Sequence, residues 1–181
     1  MKSIILIEDD PQQALAIMSA VNRRFTDFAV RLVETESEFY EFIARLPAQG
    51  EKPIMVISDV MLPWAFGETP IPKPQGVEEG GFRMAGTRCW KKFRQREDLR
   101  QIPWIYFTVL DDQTIEFAQN HDEKTGYVQK GKSIEPLLME IEDWLETDES
   151  ATEALASSTT MRKALEAGLA TSLSDCSPEL S

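Results

Sequence analysis

Short apolar runs recur along the chain, and between them the apolar positions fall at intervals of three and four. SIILI (3–7), AVRLV (29–33), PIMVIS (53–58), PWIYFT (103–108) and GYVQ (126–129) read as strands. Three of them are almost continuously apolar, as strands covered on both faces of a parallel sheet should be. Helical spacing runs over about 11–25, 36–46, 82–97, 112–121 and 133–146. In the fifth of these, Ile134, Leu137, Leu138, Ile141 and Leu145 form one stripe. In the third, Phe82, Ala85, Cys89 and Phe93 do the same and leave Arg83, Arg88, Lys91, Lys92 and Arg94 mostly outward. Strict strand–helix alternation predicts an α/β fold, a parallel sheet with right-handed crossovers and helices on both faces.

Two segments break the rhythm. Residues 63–81, PWAFGETPIPKPQGVEEGG, are rich in proline and glycine and read as an inserted loop. From Asp148 onward half of the residues are Ser, Thr or Ala, and a mostly disordered tail over 148–181 is expected. The folded body is therefore placed at 1–147, as one domain.

The charge balance narrows the function. The net charge is −12, of which −4 belongs to residues 148–181 and −8 to the body. A general nucleic-acid binder needs a basic face to neutralise phosphates, so direct DNA binding is not expected. The basic run RCWKKFRQR (88–96) is read as a solvated helix face. No apolar run is long enough to cross a bilayer, no secretory pattern opens the chain, and Cys89 and Cys176 suggest neither a disulfide nor a zinc site. A reduced, cytoplasmic protein is expected.

In open parallel sheets ligands bind at the carboxyl ends of the strands, and those ends carry the chemistry here. Strand one ends in Glu8-Asp9-Asp10, strand three in Asp59, strand four in Thr108, and strand five delivers Lys130. Several acidic oxygens on one rim suit a hard cation such as Mg2+. A carboxylate on the neighbouring strand end can attack a phosphoryl group, an ammonium can offset charge on the transferring oxygens, and a hydroxyl can bond them afterwards. Each residue also has a plainer role. Asp10 before Pro11 reads as a helix N-cap with proline at the first helical position. Glu8 and Asp9 could be helix-start acids, Asp59 a turn residue, Thr108 a strand residue and Lys130 a solvated lysine. Trp64, Trp104 and Trp144 read as packing residues, and His121 has no second imidazole with which to form a site.

The segments IILIEDDP, VISDVMLP, IPWIYFT and GYVQKGKS together resemble the receiver domains of two-component response regulators, over about residues 1–147. The resemblance implies a three-layer, flavodoxin-like fold with five parallel strands in order 2-1-3-4-5. It implies that Asp59 is a phosphoacceptor, served by a sensor histidine kinase or a histidine phosphotransfer protein. Mg2+ would be held by Asp9 directly, by Glu8 mainly through water, by Asp59 and by the Met61 backbone carbonyl. Thr108 and Tyr127 would be the switch residues, and Lys130 would pair with the phosphoryl oxygens. The output would be a population shift in the face built on the fourth helix, fifth strand and fifth helix.

Two departures stand out. Gly131 follows Lys130 where the family commonly has proline, and the family turns within a few residues where this chain carries 63–81. That insertion is either a lid over the acidic rim or a tolerated surface loop. The overall expectation is a stand-alone, non-enzymatic regulator that signals through an unknown downstream protein, with dimerisation on phosphorylation left open. Two alternatives are a docking module of the same fold that is not phosphorylated, and an aspartate-nucleophile phosphatase. The phosphatase is disfavoured because that class resembles Asp-x-Asp and position 61 is Met. Leu110, near the expected path of attacking water, predicts slow autodephosphorylation.

Overall fold

All five strand-like runs are strands: β1 (Lys2–Ile7), β2 (Phe28–Val33), β3 (Pro53–Ser58), β4 (Trp104–Thr108) and β5 (Thr125–Gln129). The computed structural model describes residues 2–46, 50, 52–67, 73, 77, 81–111 and 122–147. The helices are α1 (Pro11–Arg24), α2 (Glu36–Arg45) and α3 (Ala85–Arg94), with helical residues again over 135–147. The helix expected at 112–121, His121, the middle of the 63–81 insertion and the tail from 148 lie outside the described residues. The chain divides after Glu140 into two units. Of the second unit only 141–147 are described, as helix.

The strands form one sheet in the order β2-β1-β3-β4-β5, and every pairing is parallel. This is the expected order. The central strands are buried throughout their apolar runs, Ile4 to Ile7, Met55 to Ile57 and Trp104 to Phe107 alike. Ile5, Ile7, Val56, Trp104 and Tyr106 meet Phe39, Phe42 and Ile43 of α2 and Ala85, Cys89 and Phe93 of α3 in one cluster. By strand alternation Ile4, Leu6, Met55, Ile57, Ile105 and Phe107 point to the opposite face; α1 buries Ala14, Ile17 and Val21. Each Val, Leu, Ile, Phe or Met among these side chains contributes about 1.5–3 kcal/mol when taken from water.

Asp10 is the N-cap of α1, its Oδ1 accepting from the N–H groups of Gln12 at 2.8 Å and Gln13 at 3.1 Å, with Pro11 at the first helical position. Those backbone bonds hold its carboxyl below the usual carboxylate range.

The third helix departs from the pattern read off the sequence. It begins at Ala85, after a 3-10 turn over Gly81–Met84, and Phe82 is 58% exposed instead of closing the apolar stripe. Of the six bases along 83–96, three are not a solvated face. The Arg88 guanidinium grips the fully buried Glu36 through Nε at 2.8 Å and Nη2 at 2.7 Å. Arg94 is buried and donates to the carbonyls of Leu99, Ile102 and Lys124 while pairing with Asp122. Arg96 donates to the carbonyls of Ile43 and Leu46. Arg83, Lys91 and Lys92 are the exposed ones.

Arg94 thus ties α3 to the starts of β4 and β5. Arg94→Met should leave three carbonyls and the Asp122 carboxylate short of donors and cost about 2–4 kcal/mol. Chemical denaturation read by tryptophan fluorescence checks this, and Lys91→Met on the same helix should shift the midpoint little.

Both ends of the insertion are fastened. The Pro63 and Trp64 carbonyls accept the Glu36 and Ser37 N–H groups at 3.0 and 2.9 Å, which supplies partners for the first donors of α2. Trp64 meets Tyr40 edge to face at 5.7 Å. At the other end Arg88 also donates to the Gly81 carbonyl, at 2.9 Å.

Candidate functional site

Three backbone bonds set the strand ends side by side. Glu8 N–H donates to the Val33 carbonyl at 3.1 Å, Asp59 N–H to the Ile7 carbonyl at 2.9 Å, and Lys130 N–H to the Thr108 carbonyl at 2.7 Å. The sheet ladder therefore continues just past β1, β3 and β5, and the residues that follow share one rim.

The rim gathers Glu8, Asp9 and Asp59, whose carboxylates each offer an oxygen within 4.8 Å of the others. Glu8 and Asp59 are buried, 2% and 6% exposed, whereas Asp9 is half-buried. Lys130 reaches into the cluster. Its Nζ lies 2.7 Å from Glu8 Oε2 and 2.5 Å from Asp59 Oδ2, with its side chain only 7% exposed. Gly131 after it has no heavy atom within 4 Å of where a Cβ would stand, and no cis peptide bond occurs among the described residues.

The two oxygens of Asp59 have different surroundings. Oδ1 accepts the N–H groups of Val60, at 2.5 Å, and Met61, at 3.2 Å, while Oδ2 faces the ammonium. Thr108 is fully buried at the end of β4, two residues past the Tyr106 that pairs with Ser58. Its Oγ1 accepts from Leu110 N–H at 3.4 Å. Tyr127, paired with Tyr106 across the sheet, donates its hydroxyl to the Leu110 carbonyl at 2.5 Å. Tyr127 is thereby tied to the turn that leaves Thr108.

The charges at the rim do not balance. Three carboxylates against one ammonium leave an excess of −2 when all are ionised. Burial raises Glu8 above its ordinary value despite the Lys130 charge beside it, and burial raises Asp9 as well. Burial alone would lower Lys130, but Asp59 and Glu8 together outweigh it and raise the ammonium. A set of hard oxygens short of two positive charges fits a small divalent cation such as Mg2+. Glu8, Asp9 and Asp59 would hold it. Asp10, turned to its helix, is outside the cluster.

Two residues that sequence reasoning passed over complete the setting. Ser58 donates its Oγ to the Asp59 carbonyl at 2.6 Å. Gly86, at the start of α3, donates its N–H to the Val60 carbonyl at 2.9 Å. A Cβ at Gly86 would collide with the Asp59 carbonyl oxygen and come within 2.7 Å of Val60 Cα. The only sequence signal was a glycine within a helical run, which is costly there unless packing requires it.

Comparison with known proteins bears on the fold. No protein-family model matches the sequence, and no curated protein matches it. Solved structures do match. The signal receiver domain of a signal transduction histidine kinase from Syntrophus aciditrophicus superposes with a TM-score of 0.56 at 20% identity, covering 81% of this chain and 92% of that one. The receiver domain of a Pseudomonas aeruginosa sensor histidine kinase, with a magnesium ion coordinated in its active-site cleft, gives 0.56 at 19% identity, over 80% and 98%. A phosphorylated cyanobacterial phytochrome response regulator, RcpA, gives 0.56 at 19%, over 81% and 95%. The fold of this chain is the receiver fold.

Proposed function

We propose that this chain is the receiver of a two-component phosphorelay, with Asp59 as phosphoacceptor. The observation that carries the reading is the joint placement of Glu8, Asp9, Asp59 and Lys130 on one rim of a receiver fold. Of the similar structures, one holds magnesium in its cleft and another is phosphorylated, which supports the same chemistry here.

Asp59 attacks the phosphorus of a phosphohistidine on a partner kinase or phosphotransfer protein. The new Asp59 O–P bond forms as the P–N bond breaks, and the imidazole leaves with the bonding pair. The backbone N–H groups on Oδ1 fix the carboxylate, leaving Oδ2 toward incoming phosphorus. Lys130 transfers its attraction from Oδ2 to the phosphoryl oxygens. A bound Mg2+ supplies charge neutralisation for those oxygens. Thr108 then donates its hydroxyl to the attached group, and the turn that Tyr127 holds through Leu110 moves with it. The readout is a population shift passed to a downstream protein by contact. No described helix is long and apolar enough to cross a membrane.

The test is incubation with Mg2+ and a small acyl phosphate, followed by intact mass. The reading expects one phosphoryl adduct, stable in acid and labile in base, lost on chelation and in Asp59→Asn. Absence of any adduct in the wild-type chain would leave a docking module, and turnover of many phosphate esters would indicate a phosphatase.

A further inference from the structure

Lys130 has the hardest positional task at the rim. It must hold an ammonium among buried carboxylates, then release them and follow the phosphoryl group. Little after it helps, because Gly131 is exposed and opens on empty space. Apart from the ion pairs to Glu8 and Asp59, its restraints among the described residues are its own N–H on the Thr108 carbonyl and one neighbour outside the proposed reaction. That neighbour is Phe107, 7% exposed on β4, whose ring centroid lies 5.7 Å from Lys130 Nζ.

We propose that Phe107 is a positioning residue for Lys130, its ring holding the ammonium at the rim while the carboxylates exchange partners. The inference rests on the receiver reading of the site. An aromatic face attracts a cation by its quadrupole, most strongly where water is excluded, and Lys130 is almost wholly buried. The ion pairs to Glu8 and Asp59 are directional and compete with a metal for the same oxygens. The ring competes for none of them. Its attraction survives when Glu8 and Asp59 turn to another cation, and the strand fixes where it acts. An aliphatic side chain at 107 would fill the same space against α1's face of the sheet without that pull.

The test is an NMR measurement on the full-length chain with no metal or phosphoryl donor present. In the wild type the Lys130 ε-methylene protons, assigned by comparison with Lys130→Arg, should resonate upfield of those of the other lysines through the Phe107 ring current. Phe107→Leu should return them to the ordinary position, and Phe107→Tyr should keep them upfield. Phe107→Met serves in place of the leucine variant if the latter unfolds. A second arm follows phosphorylation by a small acyl phosphate at saturating Mg2+. The rate should fall about two- to fivefold in Phe107→Leu, recover in Phe107→Tyr, and leave the half-saturating Mg2+ concentration unchanged. An ordinary Lys130 shift in the wild type, or equal rates in the Leu and wild-type chains, would overturn the proposal. An upfield shift with no phosphorylation of any variant would instead overturn the receiver reading, since the first arm needs no chemistry.

Discussion

Lys130→Met is expected to move two properties of the site in opposite directions: Mg2+ binds about tenfold more tightly, and phosphorylation of Asp59 slows by about two to three orders of magnitude. The ammonium now sits 2.7 Å from Glu8 and 2.5 Å from Asp59, two of the three carboxylates that would hold the metal. An incoming cation must displace one positive charge and face its repulsion. A unit charge about 4 Å from a divalent ion costs roughly 8 kcal/mol at an effective dielectric of about 20, most of it returned when Lys130 swings aside. Methionine keeps the apolar stem and removes the competitor. The same change deletes the group that would meet the phosphoryl oxygens, so the chemical step loses what the metal site gains. Calorimetric Mg2+ titration and adduct formation followed by mass separate the two effects. If both properties fall together, Lys130 is holding the carboxylates in place and the assignment of roles is wrong.

Gly86→Ala is expected to damage the fold and the site at once. The added carbon would overlap the Asp59 carbonyl oxygen and stand 2.7 Å from Val60 Cα. Both neighbours are backbone, so no side chain can swing away. Either α3 shifts outward, or the turn that carries Asp59 moves and takes Oδ1 off its two N–H donors. Overpacking of this kind costs typically about 1–3 kcal/mol, and overlap with backbone belongs at the upper end. A displacement of the nucleophile by a fraction of an ångström should also slow phosphorylation by about tenfold or more. Denaturant unfolding measures the first effect. Adduct formation at a temperature where the variant is folded measures the second. Wild-type stability in Gly86→Ala would show that α3 is not held against the Asp59 turn.

What the sequence revealed was local. The strands are short apolar runs, and their neighbours in the sheet make them strands whichever partner they take. Asp10 caps α1 because cap, proline and helix are adjacent in the chain. Placing Glu8, Asp9, Asp59 and Lys130 on one rim needed only the rule that parallel strands present their carboxyl ends together. Half of the bases along 83–96 failed as a solvated face for the opposite reason. Arg88 finds its partner 52 residues away, Arg96 finds carbonyls 50 and 53 residues away, and Arg94 reaches 30 residues on to the Lys124 carbonyl. Helical spacing says which way a side chain leaves the helix, not what stands there. Phe82 misled similarly: its position continues the stripe, but the helix starts three residues later and a 3-10 turn aims it outward. Gly86 looked like any glycine because its necessity belongs to a backbone contact with Asp59.

The central claim is that a phosphoryl group is carried by the carboxylate of residue 59. Borohydride reduction of the chain after treatment with Mg2+ and a small acyl phosphate converts an aspartyl phosphate to homoserine, and peptide mass mapping locates the change. The account predicts homoserine at position 59 alone, dependent on Mg2+. Homoserine at position 9, or an unreduced chain that nonetheless binds Mg2+, would contradict it.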